Sequence, residues 1–347
     1  MSWQAIWGDG REFRAPPRAC HLPQRALTLW LELIGPRRPQ PTRRHGHVRP
    51  VPLRLWQGAS EGTAVTLYLM PNAALRLIHG EIDLCSAPRT LRAGETVGIR
   101  YIACAAGRED LFEVTNYDQG QVQTLRSGLA CAAPLADALP RVPGFLSVAH
   151  VAAIASGVVP GMDLPGIEGR ALVATPEGPR QVDALRAGDA VLDHTGQPQS
   201  LRWIEARPRL CLGRTAPICL RAPFFGLNRD LVVTPQTRLL QRGPMVDYLC
   251  GTEAVLANAA DLATGRAVVR DRTQPMRVFH HMMLDDPTCI MVENSPIETA
   301  HLGDVIAAGG RNSTKWAAPF AGDMVPSLPL LDRAAARALV SAHARAA

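Results

Sequence analysis

The side chains that most often carry covalent chemistry are few in this chain and far apart. Its single lysine is Lys315, and its eight cysteines include no Cys-x-x-Cys pair. A Schiff-base enzyme and a phosphate loop of the Gly-x-x-x-x-Gly-Lys type each need a lysine in a different context, so both classes are excluded. Scattered cysteines in a chain of this size predict small buried side chains in a reducing compartment rather than a disulfide framework.

Cationic side chains are most concentrated between Gly35 and Pro52, a stretch that also holds five prolines. Its arginines are Arg37, Arg38, Arg43, Arg44 and Arg49. The prolines predict an exposed loop, and the alternative is a patch that binds phosphate or acidic polymers. Nucleic acid is not expected as a partner because the loop has no aromatic residue to stack on bases. His45 and His47 have no cysteine or carboxylate cluster nearby, so we predict a solvated pair and assign no metal or cofactor.

The overall composition is that of a globular protein with two domains. The 347 residues are 47% apolar, and 37 basic against 31 acidic side chains give a net charge of +6. The first residues have neither the basic region nor the continuous apolar run of a cleavable signal peptide. The longest weakly polar run, Ser147 to Gly161, is too short to cross a bilayer. We therefore expect no membrane span, and either a cytoplasmic location or export without a cleavable signal peptide.

The elements that would position any site are predicted to be mainly β. In the N-terminal half, Leu27, Leu29, Leu31 and Leu33 recur at every second position, which indicates a half-buried strand. Further strand-like runs separated by turn residues are Val65 to Met70, Ala74 to Ile78, Glu81 to Leu84, Thr96 to Ala103, Leu111 to Thr115 and Gln121 to Leu125. Short strands at this spacing are typical of a β-sandwich.

We place this sandwich at residues 25–130, with an arm at 1–24 before it and a linker at 131–163 after it. Within the linker, Ser147 to Ser156 is predicted to be a short helix. The sandwich is similar to laminin-G and concanavalin-like domains, some of which bind carbohydrate. That resemblance makes carbohydrate or a protein the candidate partner, and a sandwich without a ligand is the alternative.

The C-terminal half is organised around the stretch Leu172 to Ile204, which contains closely spaced reversals. Gly178 and Gly188 are placed where a tight turn needs a positive φ, and Thr195-Gly196 closes a further turn. The spacing leaves no room for ordinary helices, so we predict short strands here, including one at Val182 to Leu185. Strand-like runs continue at Ile218 to Leu220, Leu231 to Val233, Thr237 to Leu240, Val268 to Val269, Val278 to Met283 and Ile290 to Val292.

The order of these pieces resembles a known family. The pattern from Ala174 to Leu192 is similar to the opening of the Hedgehog/intein (Hint) autoprocessing domain in its bacterial form. The similarity continues through Ala216–Ala222 and Arg229–Gln236 and fades near Gly303, which gives a Hint domain at residues 164–303. The remaining residues, 304–347, are a tail with a C-terminal helix. Asp332 is its predicted cap, and Leu331, Ala335, Ala338, Leu339 and Ala342 are its predicted apolar side.

The resemblance implies an activity whose nucleophile this chain lacks. A Hint domain attacks the peptide bond before its own first residue with a thiol or hydroxyl, in an intramolecular acyl shift. Laid on the family pattern, that first residue is Gly166, which has no side chain. No cysteine lies between Cys131 and Cys211, and the nearest hydroxyls are those of Ser156 and Thr175.

The second catalytic block of the family is only partly retained. The family's Thr-x-x-His pair corresponds to Thr234 and Thr237, so a hydroxyl that does not titrate near neutral pH replaces the histidine. Asp230 and His281 also match family positions, which leaves Thr234, Asp230 and His281 as the residual catalytic candidates. Closing a loop before a strand is the alternative role of Asp230, and a buried or edge histidine is the alternative for His281. His280 and His281 would point to opposite faces of a strand and would not share a metal.

We therefore predict a mainly β protein with a degenerate Hint domain, a pseudoenzyme that acts as a structural or interaction module. The first alternative is active autocatalytic cleavage by an N-to-O/S acyl shift, which would need a hydroxyl such as that of Ser156. Protein splicing is disfavoured, because Asn294 is not preceded by a histidine at the end of the domain. The second alternative is binding of acidic polymers by the arginines between Arg37 and Arg49.

Overall fold

In the computed structural model, the described strands pair into antiparallel sheets, and alternating apolar residues of these strands form the cores. The structure describes residues 2–8, 11–14, 26–37, 51–58, 65–103, 109–128, 149–159, 164–263, 265–309 and 325–346. The chain divides into two units, Met1–Gly161 and Met162–Ala347, which are described separately below. Among the described residues, no helix combines the length and the apolar character that a membrane span requires.

The first unit contains eleven described strands in two sheets. They are β1 (Ser2–Gly8), β2 (Arg11–Arg14), β3 (Leu27–Ile34), β4 (Leu53–Gln57), β5 (Thr66–Leu69), β6 (Leu75–His79), β7 (Ile82–Cys85), β8 (Thr96–Ala103), β9 (Leu111–Asn116), β10 (Gln121–Arg126) and β11 (Ala149–Ser156). The larger sheet has the order β10-β9-β8-β3-β11-β1-β2, and the smaller has the order β4-β5-β6-β7.

The two sheets share one apolar core, as a sandwich requires. Leu29, Leu31 and Leu33 of β3 are fully buried, and they belong to the same cluster as Leu67 of β5 and Leu77 of β6. The period-two alternation identified the residues of β3 that face this core. The prediction of a half-buried strand was wrong, because Thr28, Trp30 and Glu32 on the other side of β3 are buried as well. The mainly β fold class and the N-terminal sandwich are confirmed.

Two segments that were predicted to lie outside the sandwich supply strands to it. Ser147 to Ser156 was predicted as a helix, but Ala149–Ser156 is strand β11, paired with β1 on one side and β3 on the other. Strands β1 and β2 lie within the predicted arm. The helix prediction was wrong because alanine has a high helix propensity, whereas pairing with two strands that are distant in sequence determines the conformation of this segment. Residues 38–50, with most of the arginine-rich loop and both His45 and His47, lie outside the described residues.

The second unit has thirteen described strands and three helices. The strands are β12 (Ile167–Glu168), β13 (Leu172–Val173), β14 (Arg180–Gln181), β15 (Ala190–Leu192), β16 (Pro198–Leu210), β17 (Ile218–Leu220), β18 (Leu231–Val233), β19 (Arg238–Arg242), β20 (Ala254–Asn258), β21 (Val268–Arg270), β22 (Met276–Leu284), β23 (Cys289–Val292) and β24 (Ser295–Glu298). The helices are α1 (Pro244–Cys250), α2 (Leu302–Gly309) and α3 (Arg333–Ala346).

These strands form two sheets around a second core. One has the order β15-β16-β22-β12-β18-β17-β21, and the other has the order β14-β13-β23-β24-β19-β20. Ile218 and Val233 of the first sheet and Ile290 and Ile297 of the second belong to one buried cluster. The turns follow the sequence, since Gly178 and the glycines at 188 and 196 all have positive φ. Val182–Ala184 is a short 3₁₀ turn rather than the predicted strand.

The predicted C-terminal helix is present, and its buried side differs in part from the prediction. Asp332 caps α3, because its carboxylate accepts a hydrogen bond from the Ala335 amide at 2.8 Å. Ala336 and Leu339 are buried, whereas Ala338 is exposed. The helix therefore packs through a stripe that includes Ala336 in place of Ala338.

Candidate functional site

The peptide bond between Pro165 and Gly166 lies where the chain enters the second unit. Strand β12 starts immediately afterwards and pairs with β18 on one side and β22 on the other, with Ile167 opposite both Val233 and His280. This pairing brings the end of β18, the turn after it and the middle of β22 around the same short segment. The pairing thereby places Thr234, Thr237 and His281 beside Gly166.

Two threonine side chains contact this segment through hydrogen bonds. The Gly166 amide donates to Thr237 Oγ1 at 3.1 Å, and Thr237 Oγ1 lies 3.1 Å from the Gly166 carbonyl oxygen. Thr234 donates its hydroxyl to the Leu164 carbonyl at 2.7 Å and its amide to the Gly166 carbonyl at 2.9 Å. Both threonine side chains are fully buried. The polar groups of the segment are therefore satisfied by the two residues that correspond to the family's Thr-x-x-His pair.

His281 holds the carbonyl group of the peptide bond itself. Its Nδ1 lies 2.8 Å from the Pro165 carbonyl oxygen, so Nδ1 carries the proton and donates. Burial lowers the pKa of His281 to about 3, and the hydrogen bond to Pro165 opposes this shift only in part. The nearby positive charges of Arg207 and Arg209 lower the pKa as well. His281 is therefore a neutral hydrogen-bond donor at pH 7, not a charged acid.

The space beside Gly166 is filled by the imidazole of His281. A Cβ atom built on Gly166 would lie 2.7 Å from both Cε1 and Nδ1 of His281, and 3.1 Å from Cγ2 of Thr234. Real Cβ atoms do not approach other atoms this closely without a displacement. A residue with a side chain, including any nucleophile, would need His281 to move.

Asp230 occupies a different place from the other candidates. It is exposed on the loop between β17 and β18, where its Oδ1 accepts a hydrogen bond from the Ala222 amide at 2.9 Å. Its Oδ2 lies 4.0 Å from the Cys219 sulfur. These contacts are those of a residue that closes a loop before a strand. The structure thus brings Thr234, Thr237 and His281 together around Gly166 and gives Asp230 contacts within its own loop.

The two adjacent histidines face different glycines. His281 lies against Gly166, whereas the ring of His280 lies against Gly169, with Cε1 2.8 Å from where a Cβ would be. This agrees with the alternation expected along β22. In the part of the chain that the structure describes, no three His, Cys, Asp or Glu side chains are arranged to hold a metal ion.

The two hydroxyls nearest to Gly166 in the sequence belong to different elements. Ser156 is the last residue of β11, in register with Ser2 and Leu27. Thr175 donates its hydroxyl to the Gly178 carbonyl at 2.5 Å and so stabilises the first turn of the second unit.

A buried ionic network next to the site was missed by sequence reasoning. Arg238, the residue after Thr237, is 4% exposed and forms ion pairs with Glu298 and with Asp304, the latter at 2.6 Å between Nη2 and Oδ2. Glu298 and Thr237 both line a small pocket that Gly166 lines as well. Strand alternation with Leu240 could have indicated an inward-facing arginine at position 238. Its partners Glu298 and Asp304 are distant in sequence, so no local pattern predicts that they pair with Arg238.

Comparisons with known proteins add one family match. The family model described as a Hint domain matches residues 168–304. No match to a curated protein was found. Similar solved structures include peanut lectin with a 9mer peptide, at 12% identity over 39% of this chain and 65% of that chain, with a TM-score of 0.22. Another is the LG1-3 region of the laminin alpha2 chain, at 7% identity over 86% of this chain and 63% of that chain, with a TM-score of 0.25.

In both cases the chain spans less than two thirds of the length of the solved structure that it matches. The family match, by contrast, runs from the last residue of β12 to the start of α2. It includes Thr234, Thr237 and His281, which contact the segment around the Pro165–Gly166 peptide. The sequence resemblance and the family model agree on the same part of the chain. The chain therefore contains a Hint domain at residues 168–304.

Proposed function

We propose that this Hint domain does not cleave peptide bonds and serves as a structural or interaction module. The observation that carries the proposal is the contact between Gly166 and His281. Gly166 has no side chain, and the imidazole occupies the space next to its Cα, 2.7 Å from the position of a Cβ. A thiol or hydroxyl is absent from the position where the acyl shift would begin.

The energetic argument supports the same conclusion. A correctly positioned intramolecular nucleophile is worth roughly 7 to 11 kcal/mol of the activation barrier. Thr234 does not replace it, because its hydroxyl donates to the Leu164 carbonyl. Thr237 does not replace the missing histidine, because an aliphatic hydroxyl is a poor general acid near neutral pH. His281 is neutral and already donates its Nδ1 proton to Pro165.

The retained residues have a structural role in this proposal. Thr234, His281 and Thr237 bind the polar groups of three consecutive residues, Leu164, Pro165 and Gly166. Each contact fixes the backbone at the entrance to the domain, and together they leave its buried polar groups satisfied. The former catalytic groups would thus act as a clamp on the entering segment.

Intact-mass analysis of the purified chain tests the proposal. The protein is incubated near neutral pH with hydroxylamine or dithiothreitol, which trap acyl intermediates, and its mass is followed over time. We expect one unchanged full-length mass. Fragments that separate between Pro165 and Gly166 would instead support autocatalytic cleavage. In that case the variants Ser156→Ala and Thr175→Ala would identify which hydroxyl had acted.

A further inference from the structure

The edge of the second sheet in the Hint unit is covered by residues that lie beyond the family match. We call residues 325–346 the C-terminal strap. Strand β20 is the last strand in its sheet, and the strap runs parallel to it through a bridge between Leu256 and Leu330. The Leu256 amide donates to the Pro329 carbonyl at 2.9 Å, and the Leu331 amide donates to the Leu256 carbonyl at 2.8 Å. The strap thus satisfies backbone groups that an open edge would leave unpaired.

A buried carboxylate anchors the start of the strap. Both the amide and the hydroxyl of Ser327 donate to Glu298 Oε1, at 2.7 Å and 2.6 Å. Glu298 is 1% exposed, and its other oxygen is paired with Arg238. Hydrogen bonds to an ionised carboxylate are stronger than those between neutral groups. Glu298 therefore favours a residue that can donate two hydrogen bonds, one from its amide and one from its side chain.

Apolar contacts fix the rest of the strap. Leu328 packs on the cluster of Leu240, Leu256 and Cys289. Further along, Leu339 of α3 is 1% exposed and packs with Val246 of α1 and Val255 of β20. Val255 and Leu256 are consecutive residues of β20 and therefore lie on opposite faces of that strand, so the strap packs on both sides of the sheet edge.

We propose that this edge of the sheet, together with Glu298 and α1, is a peptide-docking site and that the strap is its ligand. The strap combines strand addition, a two-donor polar anchor and an amphipathic helix, which are recurring modes of peptide recognition. Its sequence lies outside residues 168–304, and residues 310–324 separate it from α2. The strap can leave and return as a unit, and the same segment of a second copy of this chain can replace it. The inference does not depend on whether the Pro165–Gly166 bond is cleaved.

The test uses the full chain with a specific protease site inserted within residues 310–324. After cleavage, a fluorescent synthetic peptide of residues 325–347 is added in excess, and its binding is followed by anisotropy and native mass spectrometry. We expect the labelled peptide to replace the strap while the circular dichroism of the body stays unchanged. The proposal is overturned if the peptide does not bind, or if the body unfolds once the strap is removed.

Two competitor peptides show whether binding follows the observed hydrogen bonds. Leu331→Pro removes the amide that donates to Leu256, whereas Leu330→Pro changes a residue whose amide is not part of the bridge. We expect the first peptide to compete at least about tenfold more weakly than the second, as loss of a backbone hydrogen bond predicts. Equal competition by both peptides would contradict strand addition at β20. Because the changes are in the peptides, they do not affect folding of the body.

Discussion

At the scale of single residues, the imidazole of His281 occupies the space that a side chain at position 166 would need. A side chain at position 166 and the present position of the imidazole exclude each other, with 2.7 Å between a built Cβ and the ring. The imidazole in turn donates to Pro165 and stays neutral because it is buried. The absence of a side chain at position 166 and the packing of the histidine are therefore two aspects of the same arrangement.

The variant Gly166→Ala tests this packing. We expect it to lower the free energy of unfolding by about 1 to 3 kcal/mol, because the added methyl group overpacks the site. Urea unfolding measures the change, and the same substitution in a His281→Ala background is the matched control. The cost should largely disappear in that background. An equal cost in both backgrounds would show that His281 is not what the methyl group meets.

The protonation of His281 makes a second prediction. Its pKa is about 3 in the folded state and about 6.5 in an unfolded chain, so the unfolded state binds more protons between these values. Stability should therefore fall as the pH drops below about 6.5, by on the order of 2 kcal/mol at pH 5 from this group. The variant His281→Gln should lack this component. Urea unfolding at pH 7.5 and pH 5 measures it, and parallel losses in both proteins would contradict the prediction.

At the scale of elements, the turns of the Hint domain are held by side chains within them. Asp193, between β15 and β16, accepts hydrogen bonds from the amide and hydroxyl of Thr195 at 2.8 and 2.6 Å. It also accepts from the Gln197 amide at 3.0 Å and from Gln199 Nε2 at 2.9 Å. Burial alone would raise the pKa of Asp193, but these hydrogen bonds outweigh it and lower the pKa to about 2.

The variant Asp193→Asn tests this turn. The folded pKa lies below the unfolded value of 3.8, so the ionised carboxylate stabilises the fold above about pH 4. That contribution is lost as the pH falls towards 2. We expect the wild type to be more stable than the variant at pH 6 and the difference to shrink at pH 2.5. Glu177→Gln, at an exposed carboxylate in a neighbouring turn, is the control and should leave the profile unchanged.

The elements that could be predicted are those whose signals are local. The alternating leucines predict strand β3 from a few neighbouring residues, and the glycines at 178 and 188 predict turns that need a positive φ. Strand β11 could not be predicted, because its alanines adopt an extended form only through pairing with β1 and β3. The family positions Thr234, Thr237 and His281 lie around Gly166 in the structure, but the sequence could not reveal that His281 fills the space beside Gly166, since that depends on packing.

At the scale of the whole molecule, each unit has its own core, and the second unit extends past its family match. The strap adds buried apolar residues such as Ala336 and Leu339 to the core of the Hint unit. A boundary near residue 303, as predicted from the sequence, would leave these residues out. The C-terminal helix therefore packs on the Hint unit and contributes buried residues to its core.

The variant Leu339→Ala tests the contribution of the strap to stability. Leu339 is 1% exposed, so its truncation should lower the free energy of unfolding by about 2 to 5 kcal/mol. Ala338→Ser, at an exposed position of the same helix, is the control and should change it by no more than about 0.5 kcal/mol. Similar small effects of both substitutions would mean that α3 is not packed on the core.

The measurement that tests the central claim most directly is the intact mass of the full chain after incubation with hydroxylamine. The arrangement of Gly166, His281, Thr234 and Thr237 predicts a single mass equal to that of the whole chain at every time point. Fragments ending at Pro165 and beginning at Gly166 would contradict it, and would show that a nucleophile reaches the clamped peptide bond.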